Sequence, residues 1–110
     1  MDFKDYQEKT ATTAIYPGRG TINGVLYTAL GLGETGEVQG KVKKILRDSD
    51  GVISAETILA IKGELGDCLW YISQLSSELG LDLNAVAQEN LQKLADRAAR
   101  GVLKGNGDTR

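Results

Sequence analysis

Apolar residues recur at steps of three and four through most of the chain, and the clearest run lies beyond its midpoint. Ile58, Ile61, Leu65, Cys68, Ile72, Leu75 and Leu79 form one stripe of a long helix, the pattern of a bundle core. Ser54 suits its N-cap, and Gly80 suits a left-handed terminus. Upstream, Ile22, Val25, Leu26, Ala29 and Leu32, continued by Val38, Val42, Ile45 and Leu46, predict one helix from about Thr21 to Arg47. Asp48-Ser49-Asp50-Gly51 reads as the turn that follows. Downstream, a helix spans about Leu83 to Arg100, capped by Asp82 and ended by Gly101. The first helix, about Asp2 to Ala14, has the poorest pattern: Phe3 and Tyr6, then threonines and alanines. The only proline sits in Tyr16-Pro17-Gly18-Arg19-Gly20, a loop, and the glycine-rich tail Gly101 to Arg110 reads as irregular. There is no internal repeat, low-complexity tract or linker. The expectation is an all-α fold: an antiparallel bundle of about four helices, one domain over 1–110, completed by oligomerisation.

Composition narrows the chemistry. The chain has 110 residues and a net charge of −2, which leaves no cationic surplus for binding a nucleic-acid polymer. No apolar run approaches membrane-spanning length, and residues Met1 to Thr10 do not resemble a secretory signal. One cysteine, Cys68, permits no intrachain disulfide and fits a cytoplasmic location. The absence of histidine removes the usual zinc sites and the Glu-x-x-His di-iron pattern. A metal, if bound, is held mainly by oxygen, which points to magnesium, manganese or calcium.

Oxygen ligands occur in two pairs. Glu34 and Glu37 are three apart on the second predicted helix, and Glu64 and Asp67 are three apart on the third. That spacing places each pair on one helix face, and side-by-side packing would bring the acids together. Alone they would repel and raise one another's pKa values; a divalent cation removes the conflict. Solvated surface acids are the plain alternative. Glycines Gly31, Gly33, Gly36 and Gly40 flank the first pair, and Gly63 and Gly66 flank the second. Each costs about 1 kcal/mol against alanine inside a helix, so they suggest close helix approach or room for a ligand.

Basic residues follow. Lys41, Lys43 and Lys44 lie one or two turns after the first acidic pair, while Asn90, Lys93, Arg97 and Arg100 repeat along the last helix. Such rows can hold phosphate oxygens, or simply form a solvated basic face. Tyr71 shares the face of Asp67 and can stack on or hydrogen-bond a base or sugar; Trp70 is assigned to the core or a subunit contact. No P-loop exists, and Gly31-Leu32-Gly33-Glu34-Thr35-Gly36 lacks the preceding strand that a dinucleotide-binding turn requires. Nothing supports a nucleophilic triad.

Taken in order, Leu32-Gly33-Glu34-Thr35-Gly36-Glu37-Val38, Lys43-Lys44, Glu64-Leu65-Gly66-Asp67-Cys68-Leu69-Trp70-Tyr71 and Asn90-Leu91-x-Lys93-Leu94 with Arg97 resemble the MazG-like nucleoside triphosphate pyrophosphohydrolases. The ending Gly105-Asn106-Gly107-Asp108-x-Arg110 is similar to a short single-domain form of that family. Thr35 departs from the small apolar residue common at its position. The resemblance implies Mg2+ (or Mn2+) on Glu34, Glu37, Glu64 and Asp67, with Glu34 or Glu37 activating a water. It implies phosphate contacts from Asn90, Lys93 and Arg97, to which Lys44 is added as a further candidate. The implied reaction converts a nucleoside triphosphate, a dNTP or non-standard NTP, to nucleoside monophosphate and pyrophosphate, in a homodimer or homotetramer. The competing expectation is a non-catalytic helical oligomerisation or divalent-ion-binding module.

Overall fold

The structure, a computed structural model, describes residues 1–109 and is helical, with no strand among them. Its elements are α1 (Phe3–Ala11), α2 (Ile22–Gly31), a 3-10 turn (Leu32–Glu34), α3 (Thr35–Asp48), α4 (Ala55–Glu78) and α5 (Leu83–Ala99). The all-α class matches the expectation. Local signals set most boundaries. Asp2 accepts from Asp5 N–H in a capping box, Ser54 accepts from Thr57 N–H, and Asp82 accepts from Asn84 N–H. Gly80 (φ 69°) and Gly101 (φ 71°) take the left-handed conformation that ends α4 and α5.

One predicted element differs. The helix expected from Thr21 to Arg47 is interrupted by the Leu32–Glu34 3-10 turn. Gly31 and Gly33 weaken helix there, and Thr35 Oγ1 donates to the Leu32 carbonyl at 3.0 Å. The interruption sits at Glu34, the first acid of the candidate set. The first helix also stops at Ala11, short of the expected Ala14.

α4 is the axis of the molecule; its 24 residues span about 36 Å. The stretch α2–turn–α3 runs antiparallel along it: Gly24 lies against Glu78, Gly31 against the Tyr71 ring, and Lys41 reaches Glu64. α1 runs antiparallel on the C-terminal half of α4. Gln7 Nε2 donates to Ser77 Oγ (3.0 Å), Thr10 Oγ1 meets Ser73 Oγ (2.8 Å), and Trp70 Nε1 donates to Thr13 Oγ1 (2.9 Å). α5 packs on α1 and on the end of α4.

The α4 apolar stripe is not a core within one chain. Cys68 is buried, but Ile58, Leu65, Ile72 and Leu79 are exposed. Polar residues occupy the seams instead: Thr10, Thr28, Ser73 and Gln74 are buried, with Gln74 Nε2 donating to Thr10 Oγ1 (3.0 Å) and Thr28 Oγ1 to the Gly24 carbonyl (2.8 Å). The chain is open. Its radius of gyration is 16.9 Å, against about 13 Å for a compact domain of this length. The physical reason is coverage: the helices clasp α4 on the faces bearing small polar residues and leave its leucine and isoleucine face outward.

Candidate active site

The 3-10 turn carries Glu34 to the flank of α4. There a carboxylate oxygen each from Glu34, Glu64 and Asp67 lie within 4.8 Å of one another. Burial, the charges of Glu64, Asp67 and Glu37, and a hydrogen bond shared with Glu64 all push the Glu34 carboxyl above the usual range. Glu37, in the first turn of α3, is exposed and lies outside this set, although its charge is felt at Glu34. Lys41 Nζ stands 3.7 Å from Glu64 Oε1, a monovalent cation at the rim of an acid cluster.

The acids border a cavity of about 420 Å³ lined by Thr13, Glu34, Asp67, Trp70 and Tyr71. Its wall is aromatic. Trp70 meets Tyr71 edge-on (ring centroids 5.2 Å apart) and Tyr16 at 6.1 Å; Tyr16 stacks on Tyr27 at 5.2 Å, and Tyr27 lies 6.4 Å from Tyr71. Burial, then Tyr27, then the charges of Glu34 and Asp67 raise the Tyr71 pKa, so the phenol stays neutral beside the acids. Tyr16 is tied down by Glu78, to which its hydroxyl donates; burial and that bond push its pKa up to about 12. Glu78 also accepts from Gly20 N–H, which pins the Tyr16–Gly20 loop to α4.

The glycines divide. Gly31 marks a close approach: a Cβ there would lie 2.2 Å from two carbons of the Tyr71 ring. Gly33, Gly36, Gly40, Gly63 and Gly66 face open space, with nothing within 4 Å of a built Cβ. Close helix packing, one of two expectations for these five, is not what the single chain has.

The basic candidates scatter. Lys44 lines a different cavity, about 330 Å³, with Lys41, Ile45, Asp48, Glu56 and Thr57 among its walls. Asn90 is exposed on α5, Lys93 is half-buried, and Arg97 is buried; the latter two bind Asp108 of the tail. None of the three lines the acidic cavity. Conversely, Thr13, Tyr16 and Tyr27 belong to the cavity or its aromatic wall and carried no signal in the sequence. Trp70, assigned to the core or a subunit contact, lines the cavity. Their proximity depends on antiparallel pairing of α1 and α2 with α4, which a linear motif does not display.

The family model of the MazG nucleotide pyrophosphohydrolase domain matches residues 25–101. The chain belongs to the MazG nucleotide pyrophosphohydrolase family. The match takes in Glu34, Glu37, Glu64, Asp67 and the α5 basic residues, and leaves out α1 and most of the tail. The chain is also 50% identical over 109 residues to "Gene 37 protein" of Mycobacterium phage L5, covering 96% of both sequences. No solved structure matches. No helix among the described residues is long and apolar enough to cross a membrane.

Proposed function

We propose that this MazG-family chain hydrolyses nucleoside triphosphates, dNTPs or non-standard NTPs, between the α and β phosphates, releasing nucleoside monophosphate and pyrophosphate. The observation that carries the reading is the convergence of Glu34, Glu64 and Asp67 beside an aromatic-walled cavity. The donor set fits magnesium or manganese. It is all oxygen, drawn from the 3-10 turn and α4; burial and then the charges of Glu64, Asp67 and Glu37 raise the Glu34 pKa, and the repulsion among these acids is what a divalent cation relieves. Magnesium held there supplies charge neutralisation on the phosphates and orientation of the scissile bond.

The chain's own residues divide the remaining work. Glu34, Glu64 and Asp67 would hold the cation, and Glu37, whose charge is felt at Glu34, is the fourth candidate ligand. Glu34 or Glu37 takes the proton of the attacking water. Tyr71, with Trp70 beside it, offers ring faces to base or sugar. Lys93, Asn90 and Arg97 bind phosphate, and Lys44, in the neighbouring cavity, is a further candidate phosphate contact.

Those α5 residues need a second copy to reach the acids. An open chain with exposed Leu26, Leu30, Leu59, Leu65 and Leu91 has more uncovered apolar side chain than a lone domain carries. We therefore place the working form as a homodimer or homotetramer in the cytoplasm, with α5 of one copy closing on the acidic groove of another. The rival reading, a purely oligomeric module, accounts for the exposed leucines but gives no reason for acids to converge. Pyrophosphate release from a nucleotide panel, with and without magnesium, tests the proposal. Turnover only with a divalent cation supports it, and no turnover on any nucleotide removes it.

A further inference from the structure

The tail beyond α5 does something the proposed reaction does not use. Gly101 N–H donates to the Ala98 carbonyl and Val102 N–H to the Arg97 carbonyl, which closes the helix. Gly101, Gly105 and Gly107, at φ 71°, 146° and 85°, then turn the chain back along α5 in conformations that favour glycine. The turn delivers Asp108 onto the basic face. One carboxylate oxygen, Oδ1, lies 2.7 Å from Lys93 Nζ and 3.2 Å from Arg97 Nη2, and Arg97 also donates to the Asp108 carbonyl. Lys93 and Arg97 are successive on one helix face, about 6 Å apart along the axis. A single anionic oxygen shared by an ammonium and a guanidinium is the arrangement a phosphate oxygen makes with the same pair.

We propose that the tail is a built-in competitor for the phosphate-binding pair: Asp108 occupies Lys93 and Arg97 in the resting chain and yields them when a polyphosphate arrives. The inference rests on the reading of Lys93 and Arg97 as phosphate ligands. Its ligand class is inorganic or nucleotide polyphosphate. The carboxylate brings one negative charge and is largely exposed, at 79%. A triphosphate brings several charges to the same donors, and two anions on one pair repel, so the tail leaves. Arg97 is buried and Lys93 half-buried, but the Asp108 end of the contact is open to water, which keeps it weak: a shift of about two- to fivefold in the binding equilibrium sets a threshold and is small enough to be overcome.

The test uses the full chain with Asp108→Ala and Asp108→Asn, the latter keeping the shape of the side chain. Both variants are expected to lower KM for a nucleoside triphosphate by about two- to fivefold with kcat unchanged. Inorganic tripolyphosphate without metal is expected to speed trypsin cleavage after Lys104 in the wild-type chain, and to leave the already faster cleavage of the variants unchanged. A raised or unaltered KM, a fall in kcat, or slower tail cleavage with tripolyphosphate would overturn the proposal, because Asp108 would then position the pair or the tail would close over the ligand. Lys93→Ala separates the two levels. If it raises KM while the Asp108 variants change nothing, only the competitor fails. If Lys93→Ala leaves KM untouched, the phosphate assignment falls and the competitor falls with it.

Discussion

Gly31→Ala tests whether the aromatic wall of the cavity is built as described. Gly31 is the last residue of α2, and the Tyr71 ring lies against it. The new methyl carbon would sit 2.2 Å from ring carbons Cδ1 and Cε1 and 2.7 Å from Cζ. Carbon atoms pack at about 3.5–4.0 Å, so the ring must retreat by more than about 1 Å. Retreat is obstructed, because Tyr27 and Trp70 flank the ring. Overpacking of this kind costs about 1–3 kcal/mol. The helix gains up to about 1 kcal/mol from Gly→Ala, and less at a terminal position. The balance is a loss of about 1–2 kcal/mol, or a fall of roughly 5–10 °C in Tm at fixed protein concentration. Calorimetry of Gly31→Ala, Tyr71→Ala and the double variant measures it: the double variant should lose less than the sum, because removing the ring removes the clash. Gly36→Ala, facing open space in α3, is the control and should leave Tm unchanged or raise it, with a gain in stability of up to about 1 kcal/mol. If Gly31→Ala is as stable as wild type with an unchanged KM, Tyr71 does not pack there and the cavity wall is misassigned.

Further expectations follow from the same geometry. Glu64→Gln and Asp67→Asn should each cut turnover by roughly a hundredfold or more, while Tm in EDTA holds or rises because crowded carboxylates lose a charge. Lys93→Ala should raise KM for a triphosphate by about tenfold and leave magnesium affinity, read by titration calorimetry, largely intact. Tyr16 should titrate near pH 12 by ultraviolet absorbance. Because its folded pKa lies above the unfolded value of about 10, its contribution to stability is present below pH 10 and is lost as pH rises toward 12, which urea denaturation across that range measures. Light scattering at micromolar concentration should give a dimer or tetramer, and a stable monomer would refute the assembly.

The helices with strong periodicity and caps were legible: Ser54, Gly80, Asp82 and Gly101 mark α4 and α5 in the sequence as they do in the structure. Spacing of three along the chain put Glu64 and Asp67 on one face of α4, and the structure brings Glu34 of the 3-10 turn to them while its partner in spacing, Glu37, stays outside the cluster. The 3-10 turn at Leu32–Glu34 was not legible, since apolar periodicity runs through it while the glycines decide the backbone. Burial was the least legible feature. The stripe Ile58–Leu65–Ile72–Leu79 has core periodicity, yet it faces outward in one chain, and Thr10, Ser73 and Gln74 fill the seam against α1. Periodicity marks a face as apolar; it does not report whether that face is buried within the chain. Thr13 and Tyr16 reach the site region only through pairing with a distant helix, and no spacing along the chain encodes that.

The most direct test follows the fate of the phosphates. The chain is incubated with a nucleoside triphosphate and magnesium in 18O-labelled water, and products are read by 31P NMR and mass spectrometry. Attack at the α phosphorus predicts equal amounts of nucleoside monophosphate and pyrophosphate, with the label in the monophosphate and all turnover abolished by EDTA. Nucleoside diphosphate with orthophosphate, or undiminished turnover in EDTA, would contradict the account.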